Sequence, residues 1–370
     1  MAMGAPERSQ LPGESLQMHT GTERLDQGVE SIREYYGRVL SSSHDLKTGA
    51  CCAPGDLPER MRSLVVNVHP EVQNRFYGCG VPIPPALDGR TVLDLGCGSG
   101  RDCYVLSQLV GPRGRVIGVD MTPEQLEVAE RHQDWHTDRF GHARSNIEFL
   151  HGYMEDLAAL GIRDGTVDVV VSNCVFNLSP DKSGLFEEVF RVLKPGGELH
   201  FSDVFADRRI PDELRDDPVL MGECLAGALY LEDFRRILQD VGCADVRQLS
   251  NRPVPLLDDA IEQRIGMVHF TSRTFRAFKL KLEDRCEDFG QVATYLGTIE
   301  GLPHAFELDD HHRLETGLPL RVCGNTAAML SETRYAPHFK VQGDRSTHFG
   351  LFDCGPSVTA EGPGGSAPCC

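Results

Sequence analysis

Residues 91–110 read TVLDLGCGSGRDCYVLSQLV, and the fold class turns on them. A short apolar run, Thr91–Leu95, breaks into three alternating glycines, Gly96, Gly98 and Gly100, and then into a helical stretch. Glycine is required where a strand-to-helix turn is tight and where the backbone must approach a ligand with no Cβ in the way. The next apolar run, RVIGVD, ends on Asp120, 20 residues beyond Gly100. A carboxylate at that offset can accept both hydroxyls of a ribose. Together these features describe a β-α-β unit that holds a nucleoside-containing cofactor.

The same rhythm extends outward from this unit. Apolar runs at Thr91–Leu95, Arg115–Asp120, 147–152, Val167–Asn173 and 198–204 alternate with helical stretches such as PEQLEVAERHQDWHTDRF and GLFEEVFRVL. Thr122 and Pro123 open the first stretch as N-cap and first helical residue, with Gln125 at capping-box spacing. Strands alternating with helices predict an α/β, Rossmann-like, doubly wound and mostly parallel sheet, with ligands beyond the carboxyl ends of the strands. Residues 58–250 are assigned to this domain and 251–345 to a smaller mixed domain. Residues 1–57 are expected to be an N-terminal arm with a short helix at 28–40 and a cysteine-bearing loop, and residues 346–370 a flexible tail.

Composition narrows the function. The chain has 370 residues, with Lys+Arg 37 against Asp+Glu 55, a formal net charge of −18. That balance excludes a sequence-independent grip on nucleic acid or on an anionic membrane surface. No run approaches the roughly 18 apolar residues of a membrane span, and the opening residues carry no signal-peptide apolar core. A reducing, cytoplasmic compartment and a monomer are expected. The 13 cysteines then need another use, because no C-x-x-C occurs and no zinc spacing is present. The 14 histidines show no H-E-x-x-H, and His311-His312 reads as a solvated loop.

G-x-G-x-G behind Asp94-Leu95 resembles the first motif of class I S-adenosylmethionine-dependent methyltransferases, whereas nicotinamide folds more often show G-x-G-x-x-G. LKPGGELHFSDV (193–204) resembles the fifth-strand region of the same superfamily. The resemblance implies an acidic side chain near the adenine after the third strand, assigned to Glu155 in HGYMEDL, with Met154 packed on the ring. Asn173, ending the fourth strand, would face the methionine moiety or the methyl group. Tyr77 and Met121 complete the set with Asp94, Gly96, Gly98, Gly100 and Asp120.

Beside Asn173, where a methyltransferase of oxygen, nitrogen or carbon would keep a base, stands Cys174. Thiolate is a poor general base and a good ligand for a thiophilic atom. NVHPEVQNRFYGCG, DLGCGSGRDCYVLSQLVG, SNCVFNLSPDK, GECLAGALY and FELDDHHRLETGLPLRVCGNTAAML run in the order found in arsenite S-adenosylmethionine methyltransferases, and the resemblance covers about residues 30–340. It implies four working cysteines, Cys51, Cys79, Cys174 and Cys224, with Cys52 able to substitute for Cys51. Trivalent arsenic would sit on Cys79, Cys174 and Cys224, the last in a helix over MGECLAGALY, and its lone pair would attack the sulfonium methyl with no protein base. Cys51 and Cys79 would return two electrons as a disulfide, reset by glutathione or thioredoxin.

Cys97, Cys103, Cys243, Cys286, Cys323 and Cys354 read as packing, and Cys369-Cys370 as a metalloid-capturing pair. Two other functions compete: a small-molecule O-, N- or C-methyltransferase, which needs a base near Asn173 that the adjoining sequence lacks, and a non-catalytic thiol-rich metalloid binder.

Overall fold

The computed structural model describes residues 32–33, 57–215 and 217–353. Cys51, Cys52, Cys354, Cys369 and Cys370 lie outside them, as does most of the helix expected at 28–40.

Four strands follow the sequence pattern, β1 (Thr91–Leu95), β2 (Arg115–Asp120), β3 (Ile147–His151) and β4 (Val167–Asn173), and a fifth, β5 (Leu193–Ala206), extends past the expected 198–204 at both ends, through the Pro195-Gly196-Gly197 segment expected as a turn. With β6 (Leu229–Tyr230), β7 (Val246–Pro253) and β8 (Phe270–Phe278) they form one sheet of order β3-β2-β1-β4-β5-β8-β7, β6 pairing with β5 at the side. All pairings from β3 to β5 are parallel, and β8 runs antiparallel to both its neighbours. The boundary drawn at residue 250 therefore falls inside β7, and residues 251–278, read as the start of the smaller domain, complete the main sheet with the first half of that strand. The period-2 signal in β8 is hard to read because both of its faces are covered.

Helices α1 (Glu59–Val65), α2 (Pro70–Asn74), α3 (Arg101–Val110), α4 (Pro123–Arg131), α5 (Gln133–Phe140) and α6 (Lys182–Val192) belong to the main domain. The long stretch 123–140 breaks at His132, the shared cap of α4 and α5. Thr122 caps α4 without a side-chain bond to the helix. Its hydroxyl is used by Asp120 instead, which also accepts the Thr122 N–H at 2.8 Å.

Two apolar layers sandwich the sheet. One gathers Leu93, Val170, Leu185, Phe186, Val189 and Phe201, and the other Val92, Val105, Leu106, Val116 and Val169. Full burial of one such side chain is worth roughly 1.5–3 kcal/mol. The smaller domain has its own core, including Tyr295, Phe306, Leu314, Met329 and Phe339. A buried ion cluster joins the two. Burial would raise the Glu198 carboxyl, but the Arg276 and Arg334 guanidiniums at 2.7 and 2.6 Å hold it down at about 2. His312 is buried as well, its ring against the Asp309 carboxylate at 2.8 Å, where the sequence suggested a solvated loop.

Because β1 leads to β2 on one side while β4 lies on the other, the chain reverses direction between β1 and β4. A crevice opens there, beyond the strand ends.

Candidate active site

A cavity of about 570 Å³ fills this crevice. It is lined by Tyr77, Asp94, Gly96, Gly98, Asp120, Met121, Met154, Glu155, Asn173 and Cys174. Of the ten residues expected around a cofactor, Gly100 alone is absent from the lining. A Cβ there would meet Ala129 and Phe149 at 3.0 Å, so Gly100 serves the packing of the turn. Gly98 has φ +52°, and a Cβ on it would meet no protein atom within 4 Å. The chain therefore leaves a backbone face open to the cavity, the condition for close approach of a ligand.

Asp120 is held by two backbone donors, Gly98 N–H on Oδ2 and Thr122 N–H on Oδ1, both at 2.8 Å. Each oxygen keeps acceptor capacity for a hydroxyl. Glu155 accepts the Ser179 hydroxyl at 2.5 Å. Burial, followed by the charge of Asp102, pushes Asp94 up to about 8, while the Cys103 thiol donates to it at 3.3 Å. The lining carries Asp94, Asp102, Asp120, Glu155 and Asp181 against Arg75. This surplus of carboxylates suits a cationic ligand such as a sulfonium and opposes a pyrophosphate.

Asn173 borders the cavity, but its amide is already engaged. It accepts the Gly80 N–H at 3.1 Å and donates to the Gly80 carbonyl and the Asp102 carboxylate, both at 3.0 Å. Asp102 is fixed in turn by Arg101 at 2.7 Å, whose guanidinium lies 3.1 Å over the Phe76 ring. The Cys79 carbonyl accepts the Ser272 hydroxyl at 2.8 Å and the Arg252 guanidinium at 3.2 Å. End of β4, start of α3 and strands β7 and β8 thus all grip the loop that carries Cys79.

Cys79, Cys174 and Cys224 share one buried apolar cluster with Leu178, Val204 and Leu220. The Cys224 thiol donates to the Cys174 carbonyl at 3.2 Å. Hydrogen bonding to Cys224, then to Cys79, and burial raise the Cys174 thiol well above its ordinary value. Cys224 is not helical as expected, because the helix stops at Gly222, one residue before its C-cap Glu223. Cys174 and Cys224 instead adopt φ of +63° and +60°. Left-handed backbone costs a non-glycine residue roughly 1–2 kcal/mol and persists where surrounding structure imposes it, commonly at functional sites.

One carboxylate was not legible beside Asn173 in sequence. Asp203 on β5 brings an oxygen within 4.8 Å of both the Cys79 and Cys174 sulfurs. Burial pushes its carboxyl up to about 7. The signal was an acid inside an apolar strand, HFSDVF. Cys97, Cys103, Cys243, Cys286 and Cys323 are buried thiols, as their packing reading requires.

Residues 87–242 match the family model of a methyltransferase domain, and residues 289–358 match the arsenite methyltransferase C-terminal domain. An arsenite methyltransferase of Aquipseudomonas alcaligenes is 57% identical over 328 residues, covering 88% of this chain and 94% of its own. The chain belongs to the arsenite methyltransferase family. The arsenite methyltransferase of Homo sapiens is 42% identical over 317 residues, 85% of this chain and 83% of its own. The crystal structure of an arsenic (III) S-adenosylmethionine methyltransferase from Chlamydomonas reinhardtii superposes with a TM-score of 0.78 at 51% identity, covering 80% of this chain and all of that one. As an arsenite methyltransferase family member the chain is an enzyme with the Rossmann-like fold of S-adenosylmethionine-dependent methyltransferases. Among the described residues no helix is long and apolar enough to cross a membrane.

Proposed function

We propose that the enzyme methylates trivalent arsenic held as a thiolate complex by Cys79, Cys174 and Cys224, and that it serves arsenic detoxification. The observation that carries this reading is the gathering of three buried thiols in one cluster, of which Cys174 also borders the cofactor cavity. S-adenosylmethionine supplies an electrophilic methyl group on a positively charged sulfur. Gly98 admits it to the backbone, Asp120 receives its ribose, Glu155 and Met154 its adenine, and the acidic lining its charge. The trigonal thiolate set leaves the arsenic lone pair on the open face of the pyramid, and a dry apolar cluster keeps water from competing.

The nucleophile carries no proton, so the transfer step needs no base. Forming the As–C bond formally oxidises arsenic by two electrons. Two thiolates return them by joining as a disulfide, Cys79 being one and Cys51, outside the described residues, the other. Glutathione or thioredoxin then restores both thiols. Once a methyl group replaces one thiolate, Cys174 and Cys224 suffice for the next round.

The test is arsenic speciation after incubating the enzyme with arsenite, S-adenosylmethionine and glutathione. Methylated arsenicals are expected, and their formation should stop in Cys174→Ser. Arsenite binding without methylated product would leave a metalloid binder. Methylation undiminished in Cys174→Ser would end the thiolate assignment.

A further inference from the structure

Asp203 takes no part in lining the cofactor cavity, yet the fold brings it to the thiol site. Its neighbour Ser202 accepts the Cys174 N–H on its carbonyl at 2.8 Å, which locks the end of β4 to β5. The Asp203 side chain turns into the cluster, 1% exposed, with an oxygen within 4.8 Å of the Cys79 and Cys174 sulfurs. Three backbone donors orient the carboxylate: Asn177 N–H on Oδ2 at 3.1 Å, Val204 N–H on Oδ1 at 2.8 Å, and the Phe176 N–H. Lys182, the cation that acts on it through space, spends its ammonium on the carbonyls of Asn177 and Ser179 at 3.1 and 2.9 Å. A carboxylate buried without a contacting cation is a costly group to keep in an apolar cluster. A carboxylate offers about four lone-pair sites, so it keeps acceptor capacity beyond these backbone bonds.

Arsenite reaches the protein as As(OH)₃. Each capture step is an exchange, Cys–SH + As–OH giving Cys–S–As + H₂O. The thiol hydrogen leaves with the departing hydroxyl as water, and no electrons change hands. Between the first and last exchange, arsenic carries both thiolate and hydroxyl. A hydroxyl drawn into this dry cluster requires an acceptor, since an unmet donor there is penalised. We propose that Asp203 is a substrate-binding residue: its carboxylate accepts the hydrogen of an arsenic-bound hydroxyl in the half-loaded state, holding arsenic while the remaining thiol completes the set. The inference rests on the thiolate reading above. The contact acts only on hydroxylated trivalent arsenic, because an arsenical whose ligands are all thiolates offers no such hydrogen.

Initial rates of the full-length enzyme on two substrate preparations test this. One is arsenite with tris(2-carboxyethyl)phosphine, a reductant that leaves the arsenic hydroxyls in place. The other is the tris-glutathione conjugate of arsenic in excess glutathione. Asp203→Asn keeps one acceptor oxygen, already used by a backbone donor, and puts an NH₂ group where the other oxygen stood. Its kcat/KM should fall about tenfold or more on arsenite, the range for losing a hydrogen bond to a charged group, and less than about threefold on the conjugate. Asp203→Glu keeps the charge at a shifted position and should fall between, with the same bias toward arsenite. The affinity for S-adenosylmethionine, measured calorimetrically, reports that each variant is folded.

Equal losses on both substrates would mark Asp203 as purely structural, and no loss on arsenite would remove it from the substrate; either overturns the inference. Should Asp203→Asn not fold, Asp203→Glu carries the same comparison. Cys174→Ser is run in parallel: activity on either substrate would refute the thiolate reading itself, whereas an inactive Cys174→Ser beside an unbiased Asp203 variant refutes only the inference.

Discussion

Asn173→Ala separates two roles that one residue can play at the end of β4. Its amide makes three hydrogen bonds, two to the backbone of Gly80 and one to Asp102, at 3.0 to 3.1 Å. Gly80 is buried and adjoins Cys79, so its N–H and C=O lose their partners when the amide is removed. An unmet buried polar group costs about 1–3 kcal/mol. Water can enter from the adjoining cavity, which places the pair at the lower end, about 2–3 kcal/mol in total. Asp102 keeps its Arg101 partner at 2.7 Å and adds little. If that free energy is spent on the placement of Cys79, kcat/KM for arsenite should fall roughly 30- to 150-fold. On the proposed thiolate reading, monomethylarsonous acid needs only Cys174 and Cys224 and should be affected by about twofold, as should the KM for S-adenosylmethionine. Initial rates on both arsenicals across a range of cofactor concentrations give all three numbers. A tenfold or greater rise in cofactor KM with equal losses on both arsenicals would refute the reasoning and put Asn173 on the methionine moiety.

The thiols should divide by round: Cys174→Ser or Cys224→Ser abolishes every methylation, whereas Cys51→Ser or Cys79→Ser abolishes only the first, as read by product speciation. Cys79→Ser methylating arsenite at the wild-type rate would contradict this division. With Asp94 raised to about 8, a cationic cofactor must displace its proton below that pH. Affinity should therefore rise with pH between about 6 and 8, with proton release in calorimetry, and Asp94→Asn should flatten the profile. The same group makes the cofactor-free enzyme less stable as pH rises from about 4 to 8, because the folded state holds a proton that the unfolded chain gives up near 3.9. Gly96 has φ +72°, and a Cβ there would stand 2.4 Å from Val175, so Gly96→Ala should lose about 2 kcal/mol or more of stability in thermal denaturation. Gly98→Ala should lose only about 1 kcal/mol, with its main effect on cofactor affinity.

The glycine turn, Asp120 and the first four strands were legible because local chemistry and tertiary role agree there. β1, β2 and β4 begin and end where alternation and the flanking Gly, Asp and Asn place them. Agreement fails where long-range contacts decide. β7 and β8 look irregular because one is a sheet edge and the other is covered on both faces. Nothing in GECLAGALY announces a helix ending at Gly222, nor the left-handed backbone of Cys224. Asn173 was legible as a site residue, but its partner Gly80, 93 positions away, was not. Asp203 stayed hidden for the same reason: its place beside Cys79 and Cys174 comes from register between β4 and β5, where Asn173 pairs with Ser202.

Arsenic K-edge X-ray absorption on the arsenite-loaded enzyme tests the thiolate site most directly. Three sulfur neighbours and no oxygen are expected in the wild type, falling to two sulfurs in Cys79→Ser. An oxygen-dominated shell in the wild type, or three sulfurs persisting in Cys174→Ser, would contradict arsenic capture by Cys79, Cys174 and Cys224.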